Sequence, residues 1–533
     1  MKRLISLLLV LIVCISLCSA GLAAETVLPI SDEKVTLRIM ATFSPIVENL
    51  KTNTATQWLE ERTNVHIEWD VTEWGSLANQ KMQLKINSGV DLPDIMMGKN
   101  WLTDDSTKYL YGSEGIFIPL NDLIEKYGVN VKRLWEMDPS YKNAMTSPDG
   151  NIYALQSYVD IKHYQYKNKL WINQDWLDNL GLPMPQTTDE LVEVLRAFKE
   201  DDPNRNGKQD EMPLSGPVHE YYNYILNSFI TVPENNSLCL LDGEGNVVFP
   251  WNTTAFKDGC NFLYMLMDNG LVDPNIYDYD PSSWVSFAMG DSNCLGITGS
   301  LDTVMPTTSA QSRSYVGLNP VEGPDGVRSV TYNPPGLETG GDLFITKDCK
   351  NPEVAFQWAD YLMSAEVYYR LYFGEEGVDF AYPEEGDIGL NGKPAKIREI
   401  NEMYSLSSQN RAWMWMTPII NDGVNDGSVF TGDTSVWSYR IYNESVVAYE
   451  PYKPDLKYVL PNVVFTPEEM AQFKQLKNDI FKQVNSLRDN CAMGFYTADS
   501  KWDGYLSKLD EVGLQDYLDL VQMAYDRQYK TAE

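Results

Sequence analysis

The chain has 533 residues, enough for two to four domains, and it carries a formal charge of 42 − 75 = −33 that is spread along its whole length. This acidity argues against nucleic-acid binding, because phosphate contacts need a basic face. The three histidines, His66, His163 and His219, lie far apart in the sequence and show no metal-ligand spacing.

The N-terminus reads as an export signal. Lys2 and Arg3 precede the apolar run Leu4–Leu17, and small residues follow up to Ala24. Cleavage after Ala23 predicts a signal peptide over residues 1–23, and the apolar run is too short for a membrane span. Leu17 before Cys18 and Val13 before Cys14 are not the small residue that a lipoprotein site needs, so a lipid anchor is a possible alternative that the sequence does not indicate. We expect an extracytoplasmic protein.

The first predicted elements form a βαβ unit. Val35–Met40 alternates apolar and polar residues as a strand does, Thr54–Arg62 has the pattern of a helix, and His66–Val71 is a second strand. A helix from Trp74 to Asn87 and a short strand ending at Gly98 follow. Ligands bind at the carboxyl ends of strands in open α/β sheets, so the loops after these strands are predicted to face a pocket.

A loop rich in oxygen-bearing side chains follows the helix that begins near Thr188 and includes Phe198. Side-chain oxygens recur at every second position, and Gly207 permits the sharp turn that folds them around one point. This pattern predicts a structural Ca²⁺ site between a helix and the strand at Met212–Leu214. The loop is not a standard EF-hand, because Pro213 stands where a bidentate Glu is expected. A solvated polar turn is the alternative. The predicted ligands are Asp202, Asn204, Asn206, Lys208 through its carbonyl, Asp210 and Glu211.

Several segments read as in one known family. They include "SGVDLPDI", "SPDGNIYAL", "INQDWLDNLGLPMPQTTDEL", "AFKEDDPNRNGKQDEMPL", "NGLVDPN", "NPEVAFQWADYLMSAE" and "GEEGVDF", and the run from Ile172 to Leu214 is the most specific. From about Val35 to Tyr529, the chain resembles the family 1 extracellular solute-binding proteins of ABC importers. Within that family it is similar to the LipO-like and alginate-binding sugar-binding branch. In that branch the cation loop binds structural calcium, and every matching position is present here.

The resemblance implies an α/β periplasmic-binding-protein-like fold of type II, with two discontinuous lobes joined by hinge segments around a ligand cleft. Tyr158–Lys167 and the region around Asn333–Leu343 are predicted crossings between the lobes. The first lobe is expected to contain residues 35–157 and about 300–345. The second is expected to contain residues 158–299 and about 346–533, including the loop 202–211.

Sugar sites pair stacked aromatic rings with carboxylates, amides and arginine. Six tryptophans fall in predicted loops or at element ends: Trp74, Trp101, Trp284, Trp413, Trp415 and Trp437. If extended, the run from Arg411 to Trp415 would place both of its tryptophans and Arg411 on one face, which is a stacking platform or else a core strand. Glu338 in the Gly-rich "GLETGGD" is a further candidate ligand for sugar hydroxyls, with a hinge or a solvated turn as the alternative. Trp437 is the only one of the six tryptophans outside the predicted ligand set.

The function predicted from these features is a solute receptor, and not an enzyme, that binds an oligosaccharide and delivers it to an ABC permease. We expect a monomer with structural Ca²⁺ and no nucleic-acid partner. A secreted glycoside hydrolase is the alternative; it would need two carboxylates at a defined separation, which a sequence does not give. A dockerin-type module would carry two similar loop–helix repeats, whereas this chain has one calcium loop.

Overall fold

The computed structural model describes residues 25–98, 105–279, 294–299, 311–401, 403, 406–434 and 436–530, and the side chains of residues 76, 311, 312 and 337–341 lie outside that description. The predicted signal peptide therefore lies outside the described residues. None of the helices in these ranges is long and apolar enough to cross a membrane.

The helices are α1 (Thr54–Thr63), α2 (Ser76–Ser88), α3 (Asp105–Ser113), α4 (Asn121–Tyr127), α5 (Asn130–Met137), α6 (Pro139–Met145), α7 (Lys162–Gln165), α8 (Gln174–Leu180), α9 (Thr188–Glu200), α10 (Val218–Leu226), α11 (Thr254–Asp268), α12 (Pro352–Leu362), α13 (Ala365–Tyr372), α14 (Trp437–Glu444), α15 (Pro467–Ala492), α16 (Trp502–Glu511) and α17 (Leu514–Tyr525).

The strands are β1 (Val35–Phe43), β2 (Val65–Glu73), β3 (Ile95–Gly98), β4 (Leu155–Val159), β5 (Tyr166–Lys167), β6 (Leu170–Asn173), β7 (Met212–Leu214), β8 (Leu240–Leu241), β9 (Val247–Val248), β10 (Leu295–Gly299), β11 (Tyr315–Gly317), β12 (Thr331–Tyr332), β13 (Gly336–Ile345), β14 (Phe380–Ala381), β15 (Arg398–Glu399) and β16 (Ile420–Asn421).

Two sheets organise the molecule. The larger has the order β16-β4-β13-β3-β1-β2, in which β1 is parallel to β2 and β3, while β13 runs antiparallel to both β3 and β4. The smaller has the order β11-β6-β10-β7. Helices cover both sheets, so the protein is the two-lobed α/β fold that the sequence predicted.

Local signals explain individual elements. In α9, Thr187 caps the N-terminus by accepting a hydrogen bond from the Glu190 amide. The buried residues of this helix follow helical spacing and point its apolar stripe at the core: Leu191, Val194, Leu195 and Phe198. α15 begins with a full capping box between Thr466 and Glu469.

Each sheet has its own apolar core, and the division between the two cores differs from the predicted one. Buried residues of α12, α13 and β16, among them Trp358, Val367 and Ile420, pack with β1 and β4 in the first core. The buried residues between 315 and 332, such as Leu318 and Val330, pack in the second. The expected assignments of residues 346–420 to the second lobe and of residues 311–332 to the first are therefore wrong. Each error has the same cause: sheet pairing joins segments that are far apart in the sequence, as β16 pairs with β4.

Within the described ranges, the chain passes between the cores three times. It crosses between Val159 and Tyr166, between Tyr332 and Gly336, and between Asn421 and Ser445. The first two crossings lie where the sequence predicted them, and β5 pairs with β12 there as a two-stranded sheet. The third was not predicted.

Candidate functional site

An open cavity of about 640 Å³ lies beside the crossings, with walls from both lobes. Val159 and Gly336, at the ends of β4 and β13, contribute the first lobe's wall, and Trp171 of β6 contributes to the second lobe's wall. Sites for small ligands are concave and typically measure roughly 300–1,000 Å³. The size and the position between the lobes make this cavity the candidate ligand site.

An aromatic and cationic stack stands at the second lobe's wall. The Trp171 ring lies 6.0 Å from the Trp437 ring, at an interplanar angle of 23°. The Arg440 guanidinium lies 5.7 Å and 5.8 Å from the centres of these two rings and donates to the Tyr315 carbonyl at 2.7 Å. Trp437 and Arg440 both belong to α14, and Arg440 is also held by the Tyr315 backbone. Because these two neighbours are fixed, the indole of Trp171 is fixed at the cavity.

Two polar groups in the cavity wall have no hydrogen-bond partner within the described part of the chain. They are the hydroxyl of Tyr166, a residue with 0% exposure, and the Asn168 side-chain nitrogen. Asn168 adopts φ 57 in the turn between β5 and β6. A buried polar group without a partner costs about 1–3 kcal/mol. Two such groups in one cavity wall indicate a site whose hydrogen bonds are completed by a ligand or by water.

Both lysines in the described part of the cavity wall have identified partners. Lys167 pairs with Glu234 at 2.7 Å. Lys169 donates to the His163 carbonyl at 3.0 Å and to the Ser445 hydroxyl at 3.3 Å. Burial, together with the neighbouring charge of Lys169, lowers the pKa of His163 to about 3, so the imidazole is neutral at physiological pH.

Two of the tryptophans predicted to bind ligand come together elsewhere, at the carboxyl end of β2. The ring of Trp74 lies 5.8 Å from that of Trp415, whose indole nitrogen donates to the Tyr372 hydroxyl at 2.9 Å. Neither lines the cavity of about 640 Å³. Trp101 and Trp284 lie outside the described residues. The Glu338 backbone pairs with Ser157 in the first sheet, and its side chain lies outside the description.

The predicted platform from Arg411 to Trp415 does not form. Met414 has φ 59, so the segment turns instead of extending. Trp413 is fully buried in the first core and donates to Thr56 at 2.8 Å. Arg411 makes a two-point ion pair with Asp379, at 2.8 Å and 2.7 Å. The prediction of a shared ligand-binding face is therefore wrong for Trp413 and Arg411.

Sequence reasoning missed Tyr166, Asn168 and Trp171. The run "NKLWIN" reads as an ordinary buried strand, and β6 is indeed one. A signal was present in Asn168, because Asn is a residue that readily adopts the left-handed turn conformation seen here. That the Tyr166 hydroxyl and the Asn168 amide lack partners depends on the pairing of β5 with β12 at the crossing, which no local pattern of the sequence predicts.

The cation loop folds as its spacing suggests. Asp202 accepts hydrogen bonds from the amides of Asn206 and Gly207, each at 3.0 Å. Gly207 has φ 74, a conformation that favours glycine. Asp210 accepts from the Asn206 amide group at 2.9 Å.

The surroundings of the Glu211 carboxylate show whether the loop suits a bound cation. One of its carboxylate oxygens is buried without a hydrogen-bond partner among the described residues. Burial raises the pKa of Glu211, and the nearby charges of Asp210 and Asp202 raise it further. The carboxylates of Asp202, Asp210 and Glu211 and the side-chain amides of Asn204 and Asn206 thus belong to one loop, and oxygen donors of this hard kind are those that Ca²⁺ prefers. No group of three or more His, Cys, Asp and Glu side chains with metal-binding geometry is found in the described ranges, so amide or carbonyl oxygens would have to complete the site.

Comparison with known proteins agrees with this architecture. The family model for bacterial extracellular solute-binding proteins matches residues 36–231. The chain is 30% identical over 516 residues to the fructooligosaccharide ABC transporter substrate-binding protein FusA of Streptococcus pneumoniae, covering 93% of this chain and 91% of that protein. It is 25% identical over 373 residues to the polygalacturonan/rhamnogalacturonan-binding protein YtcQ of Bacillus subtilis, covering 67% and 70% respectively.

A solved structure extends the comparison to the fold. An EF-hand mutant of the S. pneumoniae protein FusA in complex with fructo-nystose superposes with a TM-score of 0.71 at 27% identity, over 93% of this chain and all of that one. The similarity in sequence and in structure runs through both lobes. The chain belongs to the family of bacterial extracellular solute-binding proteins.

Proposed function

We propose that this protein is an extracytoplasmic receptor of an ABC importer, which binds an oligosaccharide between its lobes and delivers it to a membrane permease. The similarity to FusA, whose name describes a fructooligosaccharide-binding component of such a transporter, supports this function. The single structural observation that carries it is the cavity at the crossings, where the Tyr166 hydroxyl and the Asn168 amide have no partner.

The chemistry of the cavity suits a sugar. Hydroxyl groups of a sugar both donate and accept hydrogen bonds, so they satisfy a phenol and an amide in one wall. The Trp171 ring offers an apolar face to sugar C–H groups. Trp74 and Trp415 are proposed to extend this site along the carboxyl edge of the first sheet, because ligands of open α/β folds lie at such edges.

Isothermal titration calorimetry with a panel of oligosaccharides tests the proposal. We expect saturable binding, and we expect Tyr166→Phe to weaken it about fivefold to tenfold, since the variant loses one hydrogen bond to the ligand. The melting temperature of Tyr166→Phe should be unchanged or higher, because the variant removes a hydroxyl that is buried without a partner. Equal affinity of the two proteins would remove Tyr166 from the site.

Turnover distinguishes a receptor from the alternative of a glycoside hydrolase. Incubation of the protein with the bound oligosaccharide should release no reducing sugar. Release above the background hydrolysis would contradict the receptor and favour the enzyme.

The loop 202–211 is proposed to hold structural Ca²⁺ through Asp202, Asn204, Asn206, the Lys208 carbonyl, Asp210 and Glu211. The buried Glu211 oxygen without a partner supports this, as does the existence of an EF-hand mutant of FusA. The ion would join the end of α9 to β7 in the second lobe and would take no part in sugar binding.

A further inference from the structure

The relatives of this chain are named for ligands of different charge. One relative is named for fructooligosaccharides, which are neutral, and the other for polygalacturonan, whose galacturonate units are anionic. The net charge of −33 describes the whole chain, and a local basic pocket could override it. The groups that line the cavity therefore decide the question.

Among the described residues, five side chains of the His, Lys and Glu types line the cavity: His163, Lys167, Lys169, Glu220 and Glu234. His163 is neutral, because burial lowers its pKa to about 3. The remaining two lysines and two glutamates sum to zero. The described part of the cavity wall is thus electrically balanced, without a surplus of positive charge.

Both lysines are already committed to partners. Lys167 lies 2.7 Å from a carboxylate oxygen of Glu234. The Lys169 ammonium is buried against the His163 carbonyl and the Ser445 hydroxyl. Arg440, behind Trp171, donates to the Tyr315 carbonyl. A carboxylate entering the cavity would therefore compete with Glu234 for Lys167 or lose water without a cation in return.

We infer that the cavity selects neutral oligosaccharides over uronic-acid oligosaccharides, and that Glu234 determines this specificity by neutralising Lys167. This inference rests on the proposed function. Transferring a carboxylate out of water costs several kcal/mol unless a cation pairs with it, whereas a sugar hydroxyl pays far less. Neutral ligands find the Asn168 amide and the Tyr166 hydroxyl, and neither group needs a charged partner.

The test compares Glu234→Gln with a variant of equal charge change far from the cavity. Glu353 is the matched control, since it forms an exposed ion pair with Lys126 at 3.0 Å in the first lobe. Each variant removes one negative charge from the whole protein. Calorimetric titrations would use the neutral tetrasaccharides nystose, maltotetraose and xylotetraose and the acidic tetragalacturonic acid.

We expect the wild type to bind at least one neutral tetrasaccharide and to bind tetragalacturonic acid at least tenfold more weakly. Glu234→Gln should gain about tenfold in affinity for the acidic sugar, and about 0.5 M NaCl should remove most of that gain. Glu353→Gln should show no such gain.

The outcomes separate the inference from the proposed function. Binding of tetragalacturonic acid by the wild type as tightly as the best neutral sugar overturns the inference and leaves the oligosaccharide receptor intact. An equal response of Glu234→Gln and Glu353→Gln overturns the role of Glu234. Failure to bind any of the four sugars contradicts the proposed function, and the inference falls with it.

Discussion

Trp413 and Trp415 are separated by one residue but lie in different surroundings. Trp413 is fully buried and its ring contacts Trp69 at 5.2 Å in an edge-to-face arrangement. Trp415 is partly buried and packs against Trp74. The left-handed conformation of Met414 sends the two indoles to different places, so the two residues should respond differently to truncation.

Trp413→Ala should lower the free energy of unfolding by about 3–5 kcal/mol, because it leaves a large cavity in the core. Its affinity for the ligand should stay unchanged under conditions where the variant is folded. Trp415→Ala should show the reverse, with affinity reduced about tenfold and a smaller loss of stability. Denaturant unfolding and calorimetric titration of both variants check this. A loss of affinity in folded Trp413→Ala, with none in Trp415→Ala, would contradict the assignment.

At the scale of single elements, the cation loop connects α9 to β7, so an ion bound there should raise the free energy of unfolding. A ligand that binds only the folded state stabilises it by mass action, by about 2.7 kcal/mol when its free concentration is a hundred times Kd. Burial and the charges of Asp210 and Asp202 raise the pKa of Glu211, so the ionised form of this carboxyl is disfavoured without a cation.

Removing calcium with EGTA should therefore lower the melting temperature of the wild type, and added CaCl₂ should restore it. Asp202→Asn should melt at a lower temperature and show no response to EGTA or to CaCl₂. Oligosaccharide affinity should change little in either case, since the loop does not line the cavity. Magnesium, which demands a near-ideal octahedron of ligands, should rescue poorly. An identical EGTA response in wild type and Asp202→Asn would rule out this loop as the site.

Elements whose signals are local were predictable from the sequence. β1, α1 and β2 begin and end within a few residues of the predicted bounds, because alternation, caps and helical spacing lie within each segment. The platform at Arg411 was not predictable, since it depends on the turn at Met414 and on Asp379, which lies 32 residues away. Local pattern determines the type of an element, whereas the direction of its side chains depends on distant partners.

At the scale of the whole molecule, the described part of the chain connects the lobes by three crossings, and Lys162 contacts two carboxylates there. Asp426, on the turn that starts the third crossing, accepts from the Lys162 amide on the first crossing at 3.1 Å. The Lys162 ammonium pairs with Glu450 at 2.7 Å, beyond the third crossing. Asp160 accepts from the Gln165 amide group. Asp426 thus joins two crossings while it faces the charges of Asp160, Lys162 and Glu450.

Stability should depend on pH through Asp426. Burial, with the charges of Asp160 and Glu450, raises its pKa from 3.8 to about 7. The hydrogen bond from the Lys162 amide and the charge of Lys162 act in the opposite direction but do not cancel this rise. The folded protein therefore holds a proton that the unfolded chain has released between about pH 4 and pH 7. The resulting stability is fully present below the unfolded pKa and is lost as pH rises through about 7.

Asp426→Asn should remove this dependence. Between about pH 5 and pH 8, the stability of the wild type relative to this variant should fall by on the order of 2 kcal/mol. Asp422→Asn is the matched control, because Asp422 lies on the same turn but is exposed and pairs with Lys396. Its stability relative to the wild type should stay constant over that range. Denaturant unfolding at a series of pH values measures both differences. If the free energies of unfolding of the wild type and Asp426→Asn changed in parallel with pH, another group would take up the proton. Asp426, which connects the first and third crossings, would then not titrate in this range.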